Sequence, residues 1–144
     1  MAGTYPRSPK ATLGSIMHLG RMIDKVRLRH AGQIQDYNYL TAGFDKYLLD
    51  LLAITAEDFE RQVLAGGTDD ELLAWVRREG KPLTEADIRL WNQGLIQAAP
   101  KDEAAQQRFQ ARLAEIAAKR RAPAGSLPSV ATWVEAIELD EGRL

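Results

Sequence analysis

The sequence predicts an all-α protein: a single compact bundle of about six or seven helices that occupies residues 1–144 as one domain. Three segments of the form Thr-x-x-acid, each followed by apolar residues at helical spacing, are the main support for this class. Strand-like alternation is confined to the short stretch QIQDYNYL. A chain of 144 residues, 45% hydrophobic and 27% charged, is long enough to bury a core without disulfides.

The first predicted element is a helix near the N-terminus. Ser8 is a good N-cap, and Pro9 suits the first turn of a helix, where its missing N–H costs nothing. Gly14 and Gly20 make one continuous helix less favourable, so we expect a short helix followed by a longer one from about Gly20 to Ala31.

If that segment is continuous, a rotation of 100° per residue sorts its side chains into three rows. The row expected to face the core contains Ile16, Leu19, Ile23, Val26 and His30. A second apolar strip contains Leu13, Met17 and Leu28. A basic row contains His18, Arg21, Lys25 and Arg29. A helix that is apolar on two sides is usually central in its domain or packed against a partner subunit.

Six further helices follow from start and stop signals. Their predicted positions are about Phe44–Ile54, three starts at Thr55, Thr68 and Thr84, about Asp102–Arg121, and about Val130–Leu139. The helices that start at these three threonines should end at Gly66, Gly80 and Pro100. The three tryptophans all lie on apolar stripes and are expected in the core rather than on a base-stacking surface.

Composition excludes several kinds of site. The absence of cysteine rules out disulfides, thiolate nucleophiles and cysteine-bound metals. With two histidines, no metal-ligand motif and no phosphate-binding glycine loop, we expect neither a metal nor a cofactor, although an all-carboxylate magnesium site stays open. No apolar stretch suits a membrane span and no secretory signal is seen, so we expect a cytoplasmic protein.

Charge is unevenly distributed along the chain. The net charge of −1 argues against a nucleic-acid binder, and the cations at 119–121 suit a helix C-terminus. Residues 1–35 carry six basic residues against one acid, which is +5 and leaves −6 for the rest. Such asymmetry either attracts an anion to one end of the molecule or draws two parts of the fold together.

The basic segment supplies the candidate ligand-binding residues Arg7, Arg21 and Lys25. Guanidinium and ammonium groups donate several charge-assisted hydrogen bonds, which suits a carboxylate or phosphate. The alternative interpretation is an ordinary solvated face, in which Asp24 pairs with Arg21 or Arg27 one helical turn away.

Four residues are candidates for acid–base chemistry: His18, Asp24, Tyr37 and Tyr39. His18 stands in the basic row, where cationic neighbours would keep its imidazole neutral. Tyr37 and Tyr39 alternate in the link after the first helix, and their hydroxyls could orient an anion or transfer a proton. His30, on the apolar row, is expected to be a hydrogen-bonded core or boundary residue.

The chain contains, in this order, the segments YPRSP, TLG, LGRMIDKVR, DYNYL, TDDELLAWV and TWVEAIELDEGR. These segments resemble a small bacterial family classed only as a domain of unknown function, over nearly the whole chain. Members carry a proline where Gly20 stands, and often a cysteine shortly after the paired tyrosines, where this chain reads LTAG. The resemblance implies a bacterial, cytoplasmic, helical protein, and it implies no activity.

Two classes of function therefore stay open, and the sequence does not decide whether the protein is an enzyme. In the first, a small anionic ligand binds between the basic helix, the Tyr5–Arg7 segment and the Tyr37–Tyr39 link. In the second, the protein is a non-enzymatic interaction or structural protein whose first helix contacts a second copy, as a homodimer, or another partner.

Overall fold

Helices predominate in the described part of the chain, which confirms the predicted all-α class. The computed structural model describes residues 5–33, 39–122 and 127–144. Their elements are β1 (Thr12–Leu13), β2 (Ile16–Met17), α1 (Leu19–His30), α2 (Gly43–Leu52), α3 (Ala56–Leu64), α4 (Asp69–Glu79), α5 (Glu85–Gln97), α6 (Glu103–Arg120) and α7 (Trp133–Asp140). None of the helices in these ranges is long and apolar enough to cross a membrane.

Backbone contacts group the chain into two compact units, residues 1–92 and residues 93–144. The boundary falls within α5. The expectation that residues 1–144 form one domain stays a prediction.

The predicted helix starts are confirmed, because in each the Thr hydroxyl accepts from the backbone N–H three residues on. The pairs are Thr55 with Asp58 at 3.1 Å, Thr68 with Glu71 at 3.2 Å, and Thr84 with Asp87 at 3.1 Å. The sequence contains a fourth such start that the prediction missed. The helix predicted to start at Val130 begins instead at Trp133, after Thr132, whose hydroxyl accepts from the Glu135 amide at 3.2 Å.

The predicted helix from Ser8 onward is wrong. Ser8 caps a single turn, with its hydroxyl accepting from the Lys10 amide, and the chain then forms an antiparallel hairpin of β1 and β2. Gly14 and Ser15, with φ of 59° and 67°, make the two-residue turn between them. Two successive left-handed residues form the type of turn that matches the twist of a short hairpin and interrupts a helix. Only the part from Leu19 is helical.

The core of unit 1 surrounds α1. Leu19, Met22, Ile23 and Val26 are fully buried, against apolar residues from α2, α3 and α4. The predicted core row is therefore confirmed within the helix, except that the His30 side chain is 44% exposed. The second apolar strip does not exist as a helix face, because Leu13 and Met17 lie in the hairpin.

Unit 2 is built mainly from α6 and α7. Phe109 of α6 and Trp133 of α7 pack edge to face, with ring centroids 4.9 Å apart. Asp140 of α7 forms ion pairs with Arg112 at 2.8 Å and with Lys119 at 2.6 Å. Lys119, one of the cations at the end of α6, is thus paired within the unit.

Candidate functional site

All six ionisable side chains of α1 take part in three polar clusters of unit 1. The Asp45 cluster contains His18, Arg21, Lys25 and Asp45. The Arg7 cluster contains Arg7, Asp24, Arg27 and Asp69. The Tyr39 cluster contains Arg29, His30, Tyr39 and Glu60. The basic row of the sequence is thus divided among partners from three other segments of the chain: the N-terminal segment at Arg7, α2 at Asp45, and the link at Tyr39.

The Asp45 cluster is buried and centred on one carboxylate. Asp45 lies on α2, and its Oδ1 is 2.5 Å from His18 Nε2 and 3.0 Å from Lys25 Nζ. Its Oδ2 is 3.2 Å from Lys25 Nζ and accepts the Leu40 amide at 2.9 Å. Asp45 and His18 are 1% exposed, Arg21 2% and Lys25 5%. Buried charges are kept only where they are paired in this way.

Two residues bound to Asp45 hold left-handed backbone conformations. His18 precedes α1 with φ 75°, and Leu40 has φ 58°. A side chain with a Cβ in this region costs about 1 kcal/mol or more, so the contacts to Asp45 hold both residues in place against local preference. Strained positions of this kind concentrate at functional sites.

The protonation state of His18 follows from its contacts. Asp45 can only accept, so Nε2 carries the ring proton and Nδ1 presents a lone pair. Burial and the nearby Lys25 and Arg21 cations lower the pKa of His18, although the Asp45 carboxylate acts to raise it. Burial would raise the pKa of Asp45, but the hydrogen bond from His18 and the charge of Lys25 hold it below its ordinary value.

The Nδ1 atom of His18 has no hydrogen-bond partner among the residues that the structure describes. The nearest described aromatic ring, Phe44, meets the imidazole edge-on at a centroid distance of 5.7 Å. A buried nitrogen with a lone pair and an aligned carboxylate behind the opposite nitrogen is the arrangement that proton-transfer sites use.

We expect stability to decrease as the pH falls below about 6.5, the ordinary pKa of histidine. The unfolded chain then binds a proton at His18 that the native protein resists, so the loss is up to about 1.4 kcal/mol per pH unit. Above that value the contribution of His18 is fully present. Urea unfolding between about pH 7.5 and 5.5 measures the slope.

The control for this prediction is the second histidine. His18→Gln should flatten the dependence, whereas His30→Gln should keep it. A wild-type stability that does not change over this range would contradict a lowered His18 pKa.

The Arg7 cluster ties the N-terminal segment to two helices. Arg7 Nε donates to Asp24 at 2.9 Å and Nη1 to Asp69 at 2.8 Å, and Asp69 also pairs with Arg27 at 3.1 Å. The two carboxylates raise the pKa of Arg7, although its partial burial opposes them. The guanidinium lies over Gly20, where an added Cβ would come within 2.9 Å of it.

The Tyr39 cluster lies at the solvent-exposed end of α1. Tyr39 donates to Glu60 of α3 at 2.5 Å, and its ring lies 4.4 Å below the Arg29 guanidinium. Burial and the Glu60 carboxylate raise the pKa of the Tyr39 hydroxyl, while the Tyr39 hydrogen bond lowers the pKa of Glu60. His30 Nε2 contacts the same carboxylate at 3.3 Å. A tyrosine held as a donor in this way is a weak proton-transfer group.

The structure brings together only some of the predicted site residues. His18 and Lys25 contact Asp45, while Arg21 lies near His18 and donates to the Arg7 carbonyl at 3.0 Å. The Arg7 side chain belongs to a different cluster. Asp24 pairs with Arg7 rather than in the predicted turn-to-turn ion pair. Tyr37 lies outside the described residues.

Asp45 is the residue that sequence analysis missed. It stands three residues before Leu48 and seven before Leu52, on the inward stripe of α2. A carboxylate on the apolar stripe of a helix, with lysine on a neighbouring helix, is the signal that would have found it. Glu60 and Asp69 carry no comparable signal, because both are partly exposed.

Two surface grooves flank the turn between α2 and α3. The first, of about 430 Å³, is lined by Leu40 and Lys46 among others, and the second, of about 320 Å³, by Trp75 and Arg61. Neither is lined by His18, Arg21 or Lys25. The first groove lies nearer to the Asp45 cluster than the second. Two of its lining residues explain this: Leu40 donates its amide to Asp45, and Lys46 follows Asp45 in the chain. No group of three or more metal-ligating side chains occurs in the described ranges.

Comparison with characterised proteins found no match to this chain. A family model described as a domain of unknown function, DUF5069, matches residues 3–143. That range includes both units and the three polar clusters of unit 1. The chain belongs to the DUF5069 family.

Proposed function

We propose that the protein binds a small anionic ligand, a carboxylate or a phosphate, at the Asp45 cluster, with His18 Nδ1 as a contact atom. The observation that carries this proposal is the buried Nδ1, which no described residue satisfies, in a cluster of two buried cations. Buried polar atoms are nearly always paired, so an unpaired one calls for a partner from outside the protein, such as a ligand, an ion or a water.

The surroundings of Nδ1 favour an anion. Lys25 and Arg21 are close enough to His18 to lower its pKa by their charge, so a negative group beside the ring would be attracted by both. Asp45 contacts the opposite nitrogen of the ring and therefore lies on the far side from a ligand at Nδ1. The same pairing orients His18 for proton exchange with that ligand.

A ligand reaches this cluster only if the protein opens, because the four side chains are at most 5% exposed. Openings of this kind belong to the microsecond to second range of protein motion.

The alternative function, with α1 as a homodimer or partner interface, has less support. Leu19, Met22, Ile23 and Val26 of α1 are enclosed in the core of unit 1, and Leu28 is the apolar residue of this helix that stays partly exposed. Its exposed residues Arg27, Arg29 and His30 already form ion pairs or ring contacts within the unit.

The test is a thermal-shift screen with inorganic phosphate, acetate and glycolate. A ligand present at 100 times its dissociation constant stabilises the native state by about 2.7 kcal/mol, which raises the melting temperature by several degrees. Lys25→Met should abolish the shift because it removes a charge of the cluster. The matched control is Lys101→Met, an exposed lysine of unit 2 that lines neither groove.

Should Lys25→Met not fold, the two histidines provide a second measurement. The ring signals of His18 and His30, assigned with His30→Gln, are followed in wild-type protein by NMR as the anion is added. The proposal requires the His18 signal to move and the His30 signal to stay. If no anion changes either the melting temperature or the His18 signal, the proposal is wrong.

A further inference from the structure

Residues 5–11, which we call the strap, are an irregular segment that leads into β1. Arg7 fastens the strap to two helices through contacts that we call the latch. Its backbone amide and its Nε donate to Asp24 of α1 at 2.8 and 2.9 Å, and its Nη1 donates to Asp69 of α4 at 2.8 Å. The three side chains are 22% to 33% exposed, so water and salt weaken these ion pairs. Asp69 also pairs with Arg27 at 3.1 Å, so it keeps a cation when Arg7 leaves.

The strap covers Arg21, one of the buried cations of the Asp45 cluster. The Arg7 carbonyl accepts from Arg21 Nη1 at 3.0 Å, and the Arg7 guanidinium lies over Gly20, the preceding residue of α1. Arg21 is 2% exposed although it carries a charge. A carbonyl oxygen satisfies this donor without supplying an opposite charge, whereas an anionic oxygen in the same place would do both. The Arg7 carbonyl is therefore an intramolecular substitute for a ligand oxygen.

The chain that follows the strap is fixed independently of Arg7. In β2 the Met17 carbonyl accepts from Trp91 Nε1 at 2.9 Å, and the Met17 amide donates to Asn92 Oδ1 at 3.0 Å. Asn92 Nδ2 also donates to the Ser15 carbonyl at 2.9 Å. Opening of the latch therefore frees the strap while these α5 side chains hold the hairpin in place.

We propose that the strap is autoinhibitory: while Arg7 is latched its carbonyl occupies Arg21, and an anion binds Arg21 only after the strap is released. This inference rests on the proposed function and adds the step that uncovers one of its cations. The latched and the anion-bound states exclude each other, so the measured affinity is that of the released state multiplied by the fraction of molecules that are released. A change that loosens the latch should therefore tighten anion binding.

The variant Arg7→Gln tests the strap by the sign of its effect. It keeps the backbone amide and carbonyl but removes the guanidinium of the latch. The loss of a positive charge would weaken anion binding if Arg7 only attracted the ligand. We expect calorimetric titration with inorganic phosphate to give about fivefold tighter binding than in the wild-type protein, which matches the strength of partly exposed ion pairs. Lys10→Gln, the matched control, removes the same charge from an exposed residue of the strap and should not tighten binding.

Hydrogen exchange of the wild-type protein tests the strap without a variant. Asp24 protects the Arg7 amide while the strap is latched, so saturating phosphate should speed its exchange relative to sodium chloride of the same ionic strength. The Met17 amide, which donates to Asn92, should keep its rate. Equal acceleration of both amides would show that the hairpin opens as well, and this result would overturn the strap.

The failure of this inference differs from the failure of the proposed function. If phosphate binds the wild-type protein but binds Arg7→Gln equally or more weakly, the strap inference is wrong while anion binding stands. An Arg7 exchange rate that phosphate does not change leads to the same conclusion, and it decides the inference if Arg7→Gln does not fold. If phosphate binds neither protein, the proposed function is wrong and the strap inference falls with it.

Discussion

Replacement of Asp45 by asparagine is expected to lower the free energy of unfolding by about 3 to 5 kcal/mol. Asparagine has nearly the same shape, and its oxygen can still accept the Leu40 amide. What is lost is the negative charge that both oxygens of Asp45 present to Lys25 in a buried site, together with the acceptor at Oδ1, because the amide NH2 would then face His18 Nε2 and Lys25. Removal of one partner from such a pair is costly because the remaining charge stays out of water.

The control is on the same helix. Asp50→Asn also removes a carboxylate that pairs with a lysine, Lys46, at 2.8 Å, but the Asp50 side chain is 63% exposed. Exposed pairs contribute little, so we expect no measurable change. Urea unfolding of both variants near neutral pH measures the difference, and equal effects at positions 45 and 50 would contradict a buried charge pair.

The double variant Asp45→Asn with Lys25→Met tests the coupling between the two charges. Loss of both charges should cost less than the sum of the two single changes, because neither charge is then left alone. The difference, measured as a coupling energy in a double-mutant cycle, should favour the pair by about 1 to 3 kcal/mol. Additive effects would show that Lys25 is stabilised chiefly by other contacts.

The sequence predicted the helices well because their boundaries depend on local chemistry. A Thr hydroxyl and an acid three residues later form a cap whatever the rest of the chain does, as at Thr68 and Glu71. The opening hairpin was missed for a related reason. Its strands have only two residues each, so Gly14 and Ser15 gave no periodic pattern from which the turn could be found.

The site depends on partners that are distant in sequence, which no local pattern determines. Arg7 pairs with Asp69, which is 62 residues away, and His18 with Asp45, 27 residues away. The sequence left Arg21 and Lys25 either as ligand-binding residues or on an ordinary solvated face, and both are in fact buried. Which acid each cation would meet required the packing of α1 against α2 and α4.

Gly80→Ala is expected to destabilise the protein by about 2 to 3 kcal/mol. Gly80 ends α4 with an ordinary negative φ, so backbone strain is not the reason. A Cβ at this position would lie 2.7 Å from the Val76 carbonyl and 2.9 Å from the Leu52 carbonyl. The Leu52 carbonyl accepts the amide of Lys81 at 2.7 Å, so the ends of α2 and α4 would have to separate and weaken that hydrogen bond.

Replacement of Gly94 by alanine should instead raise the free energy of unfolding. Gly94 lies within α5, and an added Cβ there meets no atom within 4 Å. Alanine is favoured over glycine inside a helix by up to about 1 kcal/mol, so Gly94→Ala should stabilise the protein. Thermal or urea unfolding of the two variants compares one chemical change in two surroundings. If Gly80→Ala is neutral, the α2 and α4 ends are not packed as closely as their carbonyl positions indicate, because only that close approach makes an added methyl group harmful there.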